Sequence, residues 1–425
     1  MKTVIRGGRI IDPANKIDRV ADLLIEDGKI AGLLEPGQDA PGADEIDANG
    51  CVVSPGFIDL HVHLREPGFE QKESIRTGTV AAVAGGFTSV VCMANTNPVN
   101  DSKATTRFIL SQARRKASCR VYPVGAATVG QKGESLTEMG IMKESGVVAI
   151  SDDGIPIQSS DVSRRVFEYA TMFELPVLVH AEDKDIAGNG AMNAGVVSME
   201  LGLSGSHKMA EEIHIARDVI LAKHTKAHLH VQHVSTGDGM EFIRYAKNRG
   251  IKVTCEVTPH HFSLTDADVG WYDSYYKMSP PLRSEADREA MIQALSDGTV
   301  DAIATDHAPH EDLSKICEFD RAANGIIGLE TALPLTLELV RGKRISLQRA
   351  IELLTSGPAA VLGLPGGTLT VGAEADVAVF DPETEWVYSL DQVNSRSHNS
   401  PWLDKTLKGK VRFTLVAGEV KYRSN

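Results

Sequence analysis

A TIM-type (β/α)8 barrel joined to a small β-sandwich domain made from both chain ends follows from the patterning of this sequence. Short apolar runs recur roughly every 25 to 50 residues through the centre, separated by stretches of helical periodicity. Strand-like runs between Gly and Asp turns fill the two ends instead. Several of the central runs also end in His or Asp, and the carboxyl ends of barrel strands are where reactive residues collect.

Residues 1–54 supply TVIRGGRIID, ADLLIEDGKIAGL and EIDANGCVVSPG, hairpin material in which ANG makes a turn. Residues 55–365 hold the barrel. Its candidate strands are VVSPGFIDLHVHL, which starts just before that boundary, then TSVVCMANT, RVYPVGAAT, GVVAISDDG, PVLVHAE, AHLHVQHVS, KVTCEVTPH and DAIATDHAPH. ATTRFILSQARRKA, SRRVFEYATMFE and GMEFIRYAKNRG read as helices between them. Eight such units in about 310 residues predict a closed barrel, not an open doubly wound sheet. Residues 366–425 return to β texture with GTLTVGAEADVAVFD, TEWVYSL and GKVRFTLVAGEVKYR. Two long unpatterned connections, 182–206 and 311–328, are expected to be lids or binding loops because each follows a strand that ends in reactive residues.

Composition narrows the class. With 42% hydrophobic and 24% charged residues the chain is ordinary for a globular protein. No run approaches the ~20 apolar residues of a membrane span. The opening MKTVIRGGRIIDPANK lacks the apolar core of an export signal, so a cytoplasmic protein is expected. Five cysteines without a CxxC pair argue against a disulfide framework or a thiolate metal site. Lys and Arg number 44 against 57 Asp and Glu, a net charge of −13 that disfavours nucleic acid. A small anionic substrate would need local cations, since screening confines the general repulsion to about 8 Å.

His61 and His63 stand at i and i+2 on one strand, so both imidazoles face the same side and one divalent cation can take both. On the fourth candidate strand Asp152 and Asp153 follow the apolar VVAIS; alternation sends them to opposite faces, and the register stays open. His180 and His233 end the next two strands. Asp306, in ATDHAPH, can bind metal or take a proton from water; its bland alternative is a turn Asp. Imidazoles and carboxylates without thiolates suit zinc, manganese or cobalt.

The ordered segments PGFIDLHVHLREPG, GGFTSVVCMANTNP, SDDG, TPHHFSLT, KMSPPLR, IATDHAPH and GAEADVAVFDP resemble those of the long-chain dihydroorotases of the amidohydrolase superfamily, over nearly the whole chain. The resemblance implies a metal-dependent cyclic amidohydrolase with two zinc ions per chain, one being the alternative. His61, His63 and Asp306 would serve one ion, His180 and His233 the other, with Asp153 bridging. Many relatives bridge with a carboxylated lysine; VVAISDDG has none, which fits the aspartate-bridged type and counts against hydantoinases. Arg65, Asn95 and His310 are expected to hold the substrate carboxylate, with His63, Ser279, Asn324 and Gly325 also at the substrate. Relatives often show Asn at the place of Ser279 and an aromatic at that of Asn324, so Gly325 and Asn324 are expected to act through backbone groups.

The implied reaction is reversible cyclisation of N-carbamoyl-L-aspartate to (S)-dihydroorotate plus water in pyrimidine biosynthesis, through metal-bound hydroxide with Asp306 as general base and acid. Hydantoinase, dihydropyrimidinase or allantoinase activity, or a non-catalytic barrel subunit, are the competing readings. Family analogy adds a homo-oligomer and an association with aspartate carbamoyltransferase. His260, His261 and His307 are expected to support the site or fill the core, and His207, His214, His224, His228, His230 and His398 to be structural or exposed.

Overall fold

The structure, a computed structural model, describes residues 2–424. Eight strands, β1 (Phe57–Val62), β2 (Phe87–Cys92), β3 (Arg120–Gly125), β4 (Ala149–Ile150), β5 (Val177–Val179), β6 (Leu229–Val231), β7 (Val253–Val257) and β8 (Ala302–Ile303), lie side by side in chain order. Every neighbouring pair is parallel. The barrel closes where Val62 bridges His307 and the His63 N–H donates to the His307 carbonyl at 2.9 Å. Asp59 supports that seam: its carboxylate accepts the Thr305 N–H at 3.1 Å and the Thr305 hydroxyl at 2.6 Å. Burial pushes this carboxyl up to about 7.

All eight apolar runs contribute a barrel strand, but the first run divides. Val52–Pro55 belongs to a sheet of the chain ends, and only Phe57–Val62 enters the barrel. Gly56 makes the crossing because a Cβ there would meet the Thr88 side chain at 2.2 Å. Both halves are equally apolar, so hydropathy alone does not reveal the break.

Helices pack outside the barrel for reasons visible locally. Lys103–Lys116 starts at Ser102, whose side chain accepts the Thr105 N–H, and ends in Arg114, Arg115 and Lys116, cations that suit a helix C-terminus. Ser160–Thr171 is capped by Ser159 and buries Val166, Phe167 and Ala170 on one face. The long connections have structure of their own: 182–206 holds helices Lys184–Ala187 and Val196–Leu201 and a parallel pair of two-residue strands, and 311–328 holds helix Asp312–Lys315.

Two further sheets come from the ends. One has the order Lys29–Leu34, Asp22–Glu26, Lys2–Arg6, Asp44–Asp47; the other Glu419–Arg423, Thr406–Val416, Val377–Val387, Val52–Pro55, Arg9–Asp12, Ile17–Val20. Antiparallel pairing of Val52–Pro55 with Val377–Val387 joins the two ends of the chain. Ile5, Ile10, Leu23, Ile25, Val53, Val377, Val379 and Leu415 form their common core. Among the described residues no helix is long and apolar enough to cross a membrane.

Candidate metal centre and its cleft

The strand ends converge as the i, i+2 argument requires. His61 and His63 place their rings 5.3 Å apart. His61, His63 and Asp153 bring donor atoms within 4.8 Å of one another, as do Asp153, His180 and His233, and also His61, His233 and Asp306. Asp153 is central: its Oδ1 lies 3.5 Å from His61 Nε2 and 3.8 Å from both His180 Nδ1 and His233 Nε2, while Oδ2 is 3.6 Å from His63 Nε2. Asp306 Oδ1 is 3.0 Å from His63 Nε2 and 3.5 Å from His61 Nε2. Asp152 turns the other way and accepts from the Ala127 N–H at 2.8 Å, the Thr128 N–H at 3.1 Å and the Thr128 hydroxyl. The register left open in the sequence thus puts Asp153 in the site and Asp152 in the wall.

The hydrogen bonds test whether a cation fits. Ionised Glu256 can only accept, so His61 Nδ1, 2.9 Å from Glu256 Oε1, carries the ring hydrogen. Its Nε2 has no hydrogen-bond partner and faces both aspartates; burial opposes charge on this ring, but Asp306 and Asp153 outweigh it and push the imidazole well above its usual value. His63 Nδ1 likewise faces Asn95 Oδ1 at 2.9 Å. Burial, with Arg65 nearby, pushes His63 below its usual value, while its Nε2 stands within hydrogen-bond reach of Asp306 Oδ1 at 3.0 Å. His180 Nδ1 and His233 Nε2 confront each other at 2.9 Å. Buried carboxylates and imidazole nitrogens converging within 4.8 Å fit positive charge between them, and four imidazoles with two carboxylates match zinc or a similar divalent ion. Burial opposes ionisation of Asp306, yet His61 and His63 hold its carboxyl well below the usual range.

Three of these residues sit on strained backbone: φ is 58° at Arg65, 32° at His233 and 45° at Asp306. Each non-glycine residue in this region costs about 1–3 kcal/mol, a pattern found where side-chain direction matters more than stability.

Above the donors lies an open cleft of about 240 Å³ lined by His63, Arg65, Asn95, Asp153, His180, His233, Ser279, Asp306, His310 and Asn324, with Lys184 and Met278 among its other walls. Arg65 forms none of the surface salt bridges with Glu66 or Glu70 that would make it merely structural. Its Nε donates to the Pro309 carbonyl at 3.3 Å and its Nη2 faces His310 Nε2 at 3.3 Å. Burial lowers the guanidinium to about 10, so it remains charged at neutral pH. Lys72 approaches His310 Nδ1 at 3.4 Å. Burial and these two cations drive His310 down to about 2, which keeps the imidazole neutral.

Two expected substrate contacts differ. Asn95 lines the cleft, but its amide already spans His63 Nδ1 at 2.9 Å and Asp153 Oδ2 at 3.4 Å, so it orients the donors as well. Gly325 does not line the cleft. Its N–H goes to the Lys277 carbonyl at 3.0 Å, and a Cβ there would meet Ala308 O at 2.5 Å and His310 Cδ2 at 2.7 Å. The lack of a Cβ lets the wall close behind His310, and the Gly325 carbonyl accepts from Asn399 Nδ2 at 3.0 Å and Lys315 Nζ at 3.1 Å.

Sequence reasoning missed Lys72, Lys184 and Glu256. Glu256 sits on β7, where its oxygens meet His61 Nδ1 at 2.9 Å and His230 Nε2 at 3.1 Å. Burial opposes its charge, but His230 and His61 outweigh that and hold the carboxyl at about 2. A Glu inside the apolar run VTCEV was the available signal. His230 leads on to Thr254 Oγ1 at 2.9 Å. His261 Nε2 faces the Pro280 carbonyl at 3.0 Å and His307 Nε2 faces Glu73 at 3.4 Å, supporting positions as expected.

Comparison with known proteins agrees with this site. Residues 50–239 match the family described as dihydro-orotase-like. A dihydroorotase of Syntrophotalea carbinolica is 54% identical, covering 100% of this chain and 99% of its own. One of Solibacter usitatus is 52% identical, covering 99% and 98%. Among solved structures, an L-hydantoinase (dihydropyrimidinase) from Arthrobacter aurescens superposes with a TM-score of 0.89 at 26% identity, over 98% of this chain and 95% of that one. With full-length identity above half to named dihydroorotases and a barrel shared with hydantoinases, the chain belongs to the dihydroorotase family of metal-dependent cyclic amidohydrolases.

Proposed function

We propose that this chain interconverts N-carbamoyl-L-aspartate and (S)-dihydroorotate, with chemistry confined to the barrel segment 55–365 and with Asp306 moving the proton. The observation that carries the reading is the pairing of a donor cluster centred on Asp153 with a half-buried arginine that, among the described residues, has no hydrogen bond to a carboxylate. His61, His63 and Asp306 would hold one zinc ion, His180 and His233 a second, and Asp153 both; a single ion is the alternative. Bound there, zinc supplies Lewis acidity toward an amide carbonyl and makes water more acidic.

Arg65 and His310 orient the substrate through its free carboxylate, the planar guanidinium offering two parallel donors. Asn95 keeps His63 turned toward Asp306. In the hydrolytic direction Asp306 accepts the proton of the attacking water and returns it to the departing ring nitrogen. Cyclisation reverses the order: Asp306 takes the carbamoyl N–H proton and delivers it to the leaving oxygen.

A hydantoin ring offers Arg65 no carboxylate. The test is therefore a substrate panel on zinc-loaded protein. The proposal expects turnover of dihydroorotate and carbamoyl-aspartate far above that of hydantoin, dihydrouracil or allantoin. Preference for a neutral ring would overturn it.

A further inference from the structure

The connection 311–328 carries a buried lysine that the reaction does not use. Lys315 is 0% exposed. Among the described residues it makes no ion pair, although Asp273 favours its charge from a distance. Its ammonium donates to three carbonyls instead: Ala323 at 2.8 Å, Gly325 at 3.1 Å and Lys277 at 3.3 Å. Those carbonyls flank the cleft. Asn324 lies between Ala323 and Gly325, and Ser279 follows Lys277 by two residues, and both line the cleft wall.

The two segments meet without a strand or helix to pair them, so their backbone acceptors need another donor. One link is direct, from Gly325 N–H to the Lys277 carbonyl at 3.0 Å. A second frame lies beside it: Asn399 Nδ2 donates to the Gly325 carbonyl at 3.0 Å and the Ala308 carbonyl at 2.9 Å, and its Oδ1 accepts the His310 N–H at 3.0 Å. Lys315 occupies the centre of this arrangement. Burial, with Lys277 nearby, pushes its ammonium down to about 7. A methionine would fill similar space without the penalty of a buried charge. What methionine cannot do is donate in three directions.

We infer that Lys315 is a positioning residue that fixes Asn324 relative to Ser279 and so sets how the cleft grips its substrate. The inference rests on the reading of this cleft as the substrate site.

The experiment is a double-mutant cycle on the zinc-loaded full chain with dihydroorotate. Lys315→Met should raise KM about tenfold or more while kcat stays within about threefold, the loss of a charged hydrogen-bond donor acting on binding alone. Zinc per chain should not change. Asn324→Ala should raise KM in the wild-type background and have little further effect beside Lys315→Met, because the two act on one arrangement. Should Lys315→Met fail to fold, Lys315→Gln, with donors for two carbonyls, should give an intermediate KM. An unchanged KM in the Lys315 variants, or effects of Lys315 and Asn324 that multiply independently, overturns the inference. If Arg65→Met, Ser279→Ala and Asn324→Ala all leave KM unchanged, the substrate reading of the cleft is what fails.

Discussion

Replacing Arg65 by methionine keeps an unbranched apolar stem and removes the guanidinium and its charge. In the free protein the guanidinium is half-buried, its Nε reaches the Pro309 carbonyl at a long 3.3 Å, and its Nη2 faces a neutral imidazole at 3.3 Å. Among the described residues no carboxylate is hydrogen-bonded to it, although Asp306 and Asp153 favour its charge from a distance, so its strongest partner arrives with the substrate. A hydrogen bond to a charged group is worth about 1.5–3 kcal/mol. At about 1.36 kcal/mol per factor of ten, kcat/KM for dihydroorotate should fall about 10- to 160-fold. Steady-state hydrolysis of dihydroorotate, run beside dihydrouracil, which has the ring without the carboxylate, is the assay. Only the carboxylated ring should lose. The ligand-free variant should melt close to the wild-type temperature, because the half-buried cation that is removed makes only two long hydrogen-bond contacts, at 3.3 Å. Equal loss for both rings, or a large drop in melting temperature, would refute carboxylate recognition by Arg65.

Other variants divide support from chemistry. Asp306→Asn should abolish turnover in both directions with the fold intact by circular dichroism; wild-type turnover would dismiss it as the base. Asp153→Ala should lower metal content, whereas Asp152→Ala should keep the metal and lose about 2–4 kcal/mol of stability to denaturant, from its hydrogen bonds to Ala127 and Thr128. The reverse pattern would exchange their roles. Glu256→Gln, which removes the negative charge facing His61 Nδ1, should lose metal to a chelator with about 10- to 100-fold weaker affinity; unchanged retention would make Glu256 a core residue only. Ring closure converts a dianion to a monoanion and takes up one proton, so the equilibrium ratio of dihydroorotate to carbamoyl-aspartate should fall about tenfold per pH unit from pH 6 to 8. A flat ratio would contradict the assigned reaction.

The strand ends were legible because barrel topology and the two-residue period act together. Once eight apolar runs are recognised, His61, His63, Asp153, His180, His233 and Asp306 must share one rim. Asp152 and Asp153 show where that logic stops: alternation separates them, but only the hydrogen bonds to Ala127 and Thr128 decide which one faces inward. Glu256 was hidden because its partners His61 and His230 come from other strands. Lys72 lies on a loop and Lys184 opens a four-residue helix inside a long connection, paths that no periodicity encodes, and Lys315 looks like a solvent-facing lysine in its short helix until Ala323, Gly325 and Lys277 close around it. Gly56 divides one apolar run between two sheets for the same kind of reason, a close approach to Thr88 that is distant in sequence.

The central claim is that the donor cluster and the cationic cleft work as one dihydroorotase site. Carbamoyl-aspartate cyclisation, measured on one preparation together with zinc content per chain, tests it most directly. Turnover should rise in proportion to bound zinc, vanish on chelation and return when zinc is restored. Cyclisation by metal-free protein, or its absence from fully loaded protein, would contradict the account.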